Sequence, residues 1–163
     1  MSGYVLIVDD NDDSREIMAL ILAHAGYMTS QARDGAEALA SARARPPAAI
    51  LMDIFMPIMD GLTATQHLSR DAALKHIPVI AQTAQPGSLD NDRQLFFTVL
   101  QKPSNPQDLL KALSRALAST RPSQSEARVI EAPAQTTISD TTVVARKFRV
   151  VGMATPSPGS IIT

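Results

Sequence analysis

Five polar side chains each end an apolar stretch of the chain, and together they could carry out phosphoryl chemistry. They are Asp9, Asp10, Asp53, Thr83 and Lys102. Three carboxylates in one small site repel each other unless a cation joins them, and Mg²⁺ prefers oxygen ligands with open positions. A lysine can pair with one phosphoryl oxygen and a threonine can hydrogen-bond another. A carboxylate can also act as the nucleophile. The pattern predicts a magnesium-dependent phosphoryl site with Asp53 as the acceptor.

The apolar stretches before these residues predict the strands that position them. Several are continuous rather than alternating, which is typical of strands that are buried on both faces. We therefore predict five strands, at residues 4–8, 27–32, 48–52, 78–81 and 98–101.

Helical patterns separate the predicted strands. Ile17, Leu20 and Ile21 recur at helical spacing and predict that they share one face of a first helix. Asp34 resembles the start of a capping box, and Asn105 followed by a proline is typical of a helix N-terminus. These patterns predict five helices, at residues 14–25, from 35 to the prolines at 46 and 47, 62–70, 88–97 and from 106 onward.

Alternating strands and helices predict an α/β fold, a doubly wound five-stranded parallel sheet with helices on both faces. In such sheets the ligand site lies beyond the carboxyl ends of the strands, where strand order changes direction. The five polar residues above are therefore expected to converge on one edge of the sheet.

The composition sets limits on the class of protein. The chain has 163 residues, 45% of them hydrophobic, no cysteine and a formal net charge of −1. The absence of cysteine excludes disulfides and thiolate metal sites, and a near-zero net charge provides no general attraction to nucleic acid or an anionic membrane. No apolar run is long enough for a spanning helix. We predict a cytoplasmic protein that binds neither nucleic acid nor a membrane.

A change in composition near residue 120 predicts a domain boundary. Residues 1–119 hold 10 basic and 13 acidic side chains, whereas residues 120–163 hold 5 and 3. Residues 120–163 are rich in Pro, Ser and Thr, which predicts a mostly disordered, flexible C-terminal tail. Residues 142–151 have strand-like composition and form a possible docking strand. Truncation after residue 119 is expected to leave thermal stability nearly unchanged.

Four segments in a fixed order resemble the receiver domain of two-component response regulators. They are residues 5–11 (VLIVDDN), 50–62 (ILMDIFMPIMDGL), 77–84 (IPVIAQTA) and the Lys-Pro pair at 102–103. The resemblance covers residues 4 to about 118. It assigns residues 1–119 to a receiver domain of flavodoxin-like fold with strand order 2-1-3-4-5.

The resemblance implies specific roles for the strand-ending residues. Asp53 would accept phosphate from a histidine kinase or histidine phosphotransfer protein, assisted by Thr83 and Lys102. Asp10, Asp53 and the Phe55 backbone carbonyl would bind Mg²⁺ directly, with Asp9 acting through water. The bond before the proline at 103 would be cis. The implied function is a single-domain, non-enzymatic response regulator that signals by protein–protein interaction, and any autodephosphorylation would be self-limited.

The sequence departs from the family pattern between the fourth and fifth strands. Val99 stands where the family usually has an aromatic residue that turns inward when the threonine moves. Lys102 follows Thr83 by 19 residues, about one helical turn fewer than usual. Residues 94–97 are largely apolar where the family has a small acidic turn. Phosphorylation could therefore persist while its readout changes.

Two other functions remain open on sequence grounds. A receiver-like interaction module that has lost or altered its switching would explain Val99 and the short segment. Alternatively, residues 10–12 imitate the nucleophile loop of haloacid-dehalogenase-like phosphatases, but this leaves Asp53 without a role.

Several other residues are predicted to have structural roles only. Asp12 and Asp13 are expected to form a solvated helix start, and Phe96 and Phe97 to anchor the core. The histidines at 24, 67 and 76 are expected to be surface or packing residues. The basic patch at 146–149 is expected to be a solvated charge run.

Overall fold

Five strands and four α-helices alternate along the chain in a computed structural model, which describes residues 3–120. The strands are β1 (Val5–Val8), β2 (Thr29–Ala32), β3 (Ala49–Asp53), β4 (Val79–Thr83) and β5 (Thr98–Gln101). The helices are α1 (Asp12–His24), α2 (Gly35–Ala44), α3 (Gly61–Arg70) and α4 (Pro106–Ser119). Two short 3-10 turns, Pro86–Leu89 and Arg93–Leu95, lie between β4 and β5.

The strands form one parallel sheet in the order β2-β1-β3-β4-β5. This confirms the predicted fold class and strand order. The order reverses direction between β1 and β3, so the two crossovers leave on opposite sides and open a crevice at the carboxyl ends of these strands. Asp53 is the last residue of β3 and is in register with Gln82 of β4.

Each face of the sheet is covered by its own pair of helices. Leu6, Ile50 and Ala81 pack on the face covered by α2 and α3. Residues of opposite parity, such as Ile7 and Ile80, pack on the face covered by α1 and α4. The alternation follows from the two-residue repeat of a strand. It also determines the face on which each strand-ending polar residue lies.

Side-chain caps start the helices at the predicted places. Asp34 accepts a hydrogen bond from the backbone N–H of Glu37 at 2.8 Å, and Asn105 accepts one from Gln107 at 2.9 Å. The Glu37 carboxylate accepts from the N–H of Arg33 rather than closing a capping box on Asp34. Such caps satisfy backbone donors that have no partner within the helix.

The helical face that Ile17, Leu20 and Ile21 share is not the face that α1 packs on the sheet. Ile17 is 58% exposed and Leu20 is 65% exposed, whereas Met18 and Leu22 are buried against the sheet. The spacing of Ile17, Leu20 and Ile21 is helical, but a second apolar stripe of the same helix makes the core contact. The exposed stripe therefore needs another explanation.

The predicted helix at residues 88–97 is also wrong, because the two 3-10 turns replace it. The short separation between Thr83 and Lys102 leaves too few residues for a full crossover helix. Phe96 is buried in the core, as predicted, but Phe97 is 38% exposed. Only one of the two phenylalanines anchors the core.

Predictions for the C-terminal part of the chain are not tested by the structure. The predicted docking strand at 142–151 and the basic patch at 146–149 lie outside the described residues, and the domain boundary near 120 remains a prediction. Among residues 3–120, no helix has both the length and the hydropathy needed to cross a membrane.

Candidate functional site

Three carboxylates meet at the crevice between β1 and β3. Asp9 and Asp10 follow β1 directly, and Asp53 ends β3. One carboxylate oxygen from each lies within 4.8 Å of the others. All three line a cavity of about 680 Å³, together with Lys102, which follows β5. The structure thus brings together four of the five polar residues that the sequence analysis singled out.

Asp9 is the buried centre of the hydrogen-bond network. Its Oδ1 accepts from the backbone N–H of Asn11 at 2.9 Å. Its Oδ2 accepts from the Ser14 hydroxyl at 2.8 Å and from the Lys102 ammonium at 2.7 Å. Asp10 is exposed by contrast. The two neighbouring carboxylates therefore differ sharply: Asp9 is held by the protein, whereas Asp10 is open to a ligand.

The Lys102 ammonium links Asp9 and Asp53. Its Nζ lies 2.7 Å from Asp9 Oδ2 and 3.0 Å from Asp53 Oδ2. Burial alone would lower the pKa of Lys102, but its hydrogen bonds to Asp9 and Asp53 and their negative charges raise the pKa above the usual value. The lysine is therefore charged at neutral pH and compensates part of the acidic cluster.

Burial shapes the chemistry of Asp53. Its Oδ1 accepts from the backbone N–H of Phe55 at 3.3 Å. Burial raises the pKa of Asp53 above the usual value; the Lys102 interaction opposes this rise, and the charge of Asp9 adds to it. The Asp53 carboxylate is thus held at one oxygen by the Phe55 N–H and at the other by the Lys102 ammonium. This fixed orientation allows one of its oxygens to act as a nucleophile.

The turn into α3 packs closely against Asp53. A Cβ atom on Gly61 would lie 2.0 Å from the carbonyl oxygen of Asp53, so only glycine fits at this position. The N–H of Gly61 donates to the carbonyl of Ile54 at 2.9 Å, and Asp60 caps α3 through the N–H of Thr63. This packing fixes the loop that follows the candidate acceptor.

Thr83 lies at the end of β4 but not in the cavity. It is fully buried, and its Oγ1 accepts from the N–H of Gln85 at 3.0 Å. Its strand parity directs it to the face that α2 and α3 cover, whereas Asp53 is on the other face. Phe55 is 53% exposed, and the Lys102–Pro103 bond is cis, as the resemblance implied.

Three residues that shape the site were not predicted from the sequence. Ser14 donates to Asp9, and the buried Arg15 donates to the Asp9 carbonyl at 2.6 Å while also pairing with Asp12. Gln82 is buried and lines the cavity. The only sequence signal for Gln82 is a polar residue inside an otherwise apolar strand.

The acids at the start of α1 and the histidines were expected to have no chemical role. Asp12 and Asp13 are exposed in the first turn of α1, as predicted, but Asp12 pairs with Arg15 and Asp13 lines the cavity. The three histidines, at positions 24, 67 and 76, are all exposed and do not line the cavity.

The donor set fits a hard divalent cation. All the acidic ligand atoms are carboxylate oxygens, and one oxygen each from Asp9, Asp10 and Asp53 can approach a common point. Magnesium prefers such ligands and retains several waters, so a site with an open side suits it. No thiolate or imidazole group lies among the residues that line the cavity.

The fold and the acidic crevice together define a phosphoryl-signalling module on a doubly wound sheet. The response regulator receiver domain family matches residues 5–114, and the chain belongs to this family. The chain is thus a receiver-domain signalling protein of the two-component type. Members of this family interact with histidine kinases or phosphotransfer proteins.

Individual relatives agree with this assignment. The chain is 42% identical over 93 residues to the polar-differentiation response regulator DivK of Brucella ovis, covering 57% of this chain and 76% of that protein. The crystal structure of the chemotaxis protein CheY4 of Vibrio cholerae is 32% identical with a TM-score of 0.66, covering 71% of this chain and 99% of that one. The receiver domain of NtrX from Brucella abortus is 26% identical with a TM-score of 0.65, covering 70% and 98%.

Proposed function

We propose that this chain accepts a phosphoryl group on Asp53 from a histidine kinase or histidine phosphotransfer protein and signals through protein contacts in the cytoplasm. One observation carries the proposal: Asp53 lies at the end of β3 with Lys102 at 3.0 Å and two further carboxylates around it. A lysine beside a lone strand-ending aspartate suits a group that must receive and hold a phosphoryl anion.

The transfer step follows from the roles of the side chains. One oxygen of Asp53 attacks the phosphorus of a phosphohistidine, and the P–N bond breaks as the imidazole nitrogen keeps the electron pair. Lys102 then pairs with a phosphoryl oxygen, and Thr83 hydrogen-bonds another once it leaves the N–H of Gln85. Such reactions need position and charge neutralisation more than covalent chemistry from the protein.

Asp10, Asp53 and the backbone carbonyl of Phe55 would hold the magnesium ion. Asp9 would act through water, because both of its oxygens already accept hydrogen bonds from the protein. When bound, Mg²⁺ supplies positive charge that offsets the carboxylates and the incoming phosphoryl group. The exposure of Asp10 leaves it free to serve as a direct ligand.

The exposed stripe of α1 suits the phosphodonor. Ile17 and Ile21 line the acidic cavity, and Leu20 and Ile21 line a neighbouring apolar groove with Leu110 of α4. The groove is thus continuous with the site that contains Asp53. A helix that carries the donor histidine can bury this apolar surface while its imidazole reaches the crevice. This gives a role to the residues that the core does not use.

The test is phosphate labelling of the full chain by a radiolabelled small acyl phosphate, with and without Mg²⁺. We expect one phosphoryl group per chain, with labelling dependent on Mg²⁺ and absent in Asp53→Asn. Asp10→Ala should reduce labelling at least a hundredfold, because it removes a proposed Mg²⁺ ligand, and without the charge of the metal ion the remaining carboxylates would repel the anion. Asp108→Ala, which removes an exposed acid in the first turn of α4 that does not line the cavity, is the matched control and should label normally.

Labelling that persists in Asp53→Asn, or that needs no metal, would refute the proposal. A chain that folds but never takes up phosphate would favour the interaction module with lost switching. That hypothesis is motivated by the segment between β4 and β5, where two 3-10 turns replace the predicted helix.

A further inference from the structure

Gln82 is a buried polar residue that the proposed chemistry does not use. It is 1% exposed and lies on β4, in register with Asp53. Its side chain lines the cavity that contains the carboxylates and Lys102. Burying an amide costs free energy unless it is hydrogen-bonded, whereas a leucine would pack in this apolar strand without that requirement. A polar side chain at this position is therefore expected to serve the cavity that it lines.

The Lys102 side chain must cross β4 to reach its partners. Its backbone N–H donates to the carbonyl of Thr83 on β4 at 2.9 Å, and its ammonium contacts Asp53 of β3 and Asp9 after β1. Neighbouring strands are about 4.8 Å apart, so the lysine passes over β4 before it reaches β3. Gln82 is the β4 residue in register with Asp53 on this face.

A metal ion and Lys102 would compete for Asp53. The ammonium contacts Asp53 Oδ2, and the Asp53 carboxylate is also a proposed direct ligand of the metal ion, whereas Asp9 would keep its contact with the ammonium. Two positive groups this close repel each other. A bound cation would therefore draw Asp53 away from the ammonium. A partly buried ammonium has three N–H donors and needs a replacement acceptor.

We propose that Gln82 is a positioning residue for Lys102. Its side-chain carbonyl accepts an N–H of the ammonium that the metal displaces, and it holds the lysine beside Asp53 for the incoming phosphoryl group. An amide suits this task because it accepts a hydrogen bond without adding negative charge that would repel the phosphoryl anion. The proposal rests on the proposed function and deepens it, since it explains how one site holds a metal and a lysine together.

The test measures Mg²⁺ affinity of the full chain by calorimetry, with no phosphodonor present. Gln82→Met keeps the length of the side chain but removes the strong acceptor, and we expect Mg²⁺ to bind about fivefold more weakly. Gln101→Met is the matched control, because it removes an exposed amide next to Lys102. It should leave the affinity unchanged. Lys102→Met alone should tighten Mg²⁺ binding, because it removes the competing ammonium.

The decisive comparison is a double-mutant cycle. If Gln82 acts through Lys102, Gln82→Met should have no further effect on Mg²⁺ affinity when Lys102 is already methionine. An equal loss in both backgrounds, or no loss in the wild-type background, would overturn the proposal. Gln82→Leu provides a second apolar variant if Gln82→Met melts below the wild type. Tight Mg²⁺ binding without any labelling of Asp53 would instead refute the proposed function. The double-mutant cycle could still be interpreted, because it measures Mg²⁺ affinity only.

Discussion

The acidic crevice and the connection between β4 and β5 differ in how much structure surrounds them. At the crevice, the carboxylate of Asp9 accepts three hydrogen bonds, and Gly61 packs against the backbone of Asp53. The other region has two 3-10 turns in place of a helix, and Val99 is only half-buried. The crevice contains four of the five polar residues that the sequence predicts, whereas the other region lacks the predicted helix and has Val99 where the family usually has an aromatic residue. We therefore expect phosphoryl acceptance and its readout to be separable in this fold.

The largest effect is expected from a substitution beside the crevice, and it tests whether the phosphodonor contacts the crevice region rather than the connection between β4 and β5. Leu20→Glu places a charge on the exposed apolar stripe of α1, beside the crevice. We expect transfer from a phosphorylated histidine phosphotransfer protein to slow at least tenfold, because the charge would be buried against the donor helix. Labelling by a small acyl phosphate should not change.

Phe97→Glu is the control in the other region, since Phe97 is also partly exposed and apolar. It should leave unchanged both the rate of transfer from the phosphotransfer protein and the rate of labelling by the small acyl phosphate. Equal slowing by the two variants would show that the donor contacts both regions, and the comparison would fail.

A phosphate mimic should produce a smaller effect, which distinguishes the crevice from the connection between β4 and β5. Beryllium fluoride bound at Asp53 is expected to shift the amide resonances of the loops after Asp53 and Thr83. Amides of residues 95–100 should move little, because Val99 offers no aromatic ring that could turn inward. Large shifts across residues 95–100 would mean that another side chain has taken over the coupling.

The smallest expected effect concerns stability rather than signalling. Because burial raises the pKa of Asp53, the folded state favours its protonated form, and this contribution to stability is lost as pH rises from 3.8 through the folded-state pKa. At pH 7, Asp53→Asn should therefore be more stable than the wild type by about 1 kcal/mol or less. The difference should shrink as the pH falls towards 4.

Urea unfolding at several pH values measures this difference. Asp108→Asn, at an exposed position outside the cavity, controls for the loss of one negative charge. A less stable Asp53→Asn at pH 7 would show that the attraction between Lys102 and Asp53 outweighs the cost of burial.

Local pattern alone predicted most of the site. Asp9, Asp10, Asp53 and Lys102 each follow an apolar strand, and parallel strands bring their carboxyl ends to one edge. The sequence therefore determined which residues meet, although Lys102 and Asp9 are 93 positions apart. The starts of α2 and α4 were also predictable, because a capping side chain acts within three residues of itself.

Only the tertiary structure decided which surfaces face the core and which remain open. α1 has two apolar stripes, and the packing of Met18 and Leu22 on the sheet leaves Ile17 and Leu20 exposed. Strand parity separates Thr83 from the cavity, and the strand order places Gln82 between the lysine and its carboxylates. Spacing along a chain defines a helix or a strand, but burial depends on neighbours that are distant in sequence.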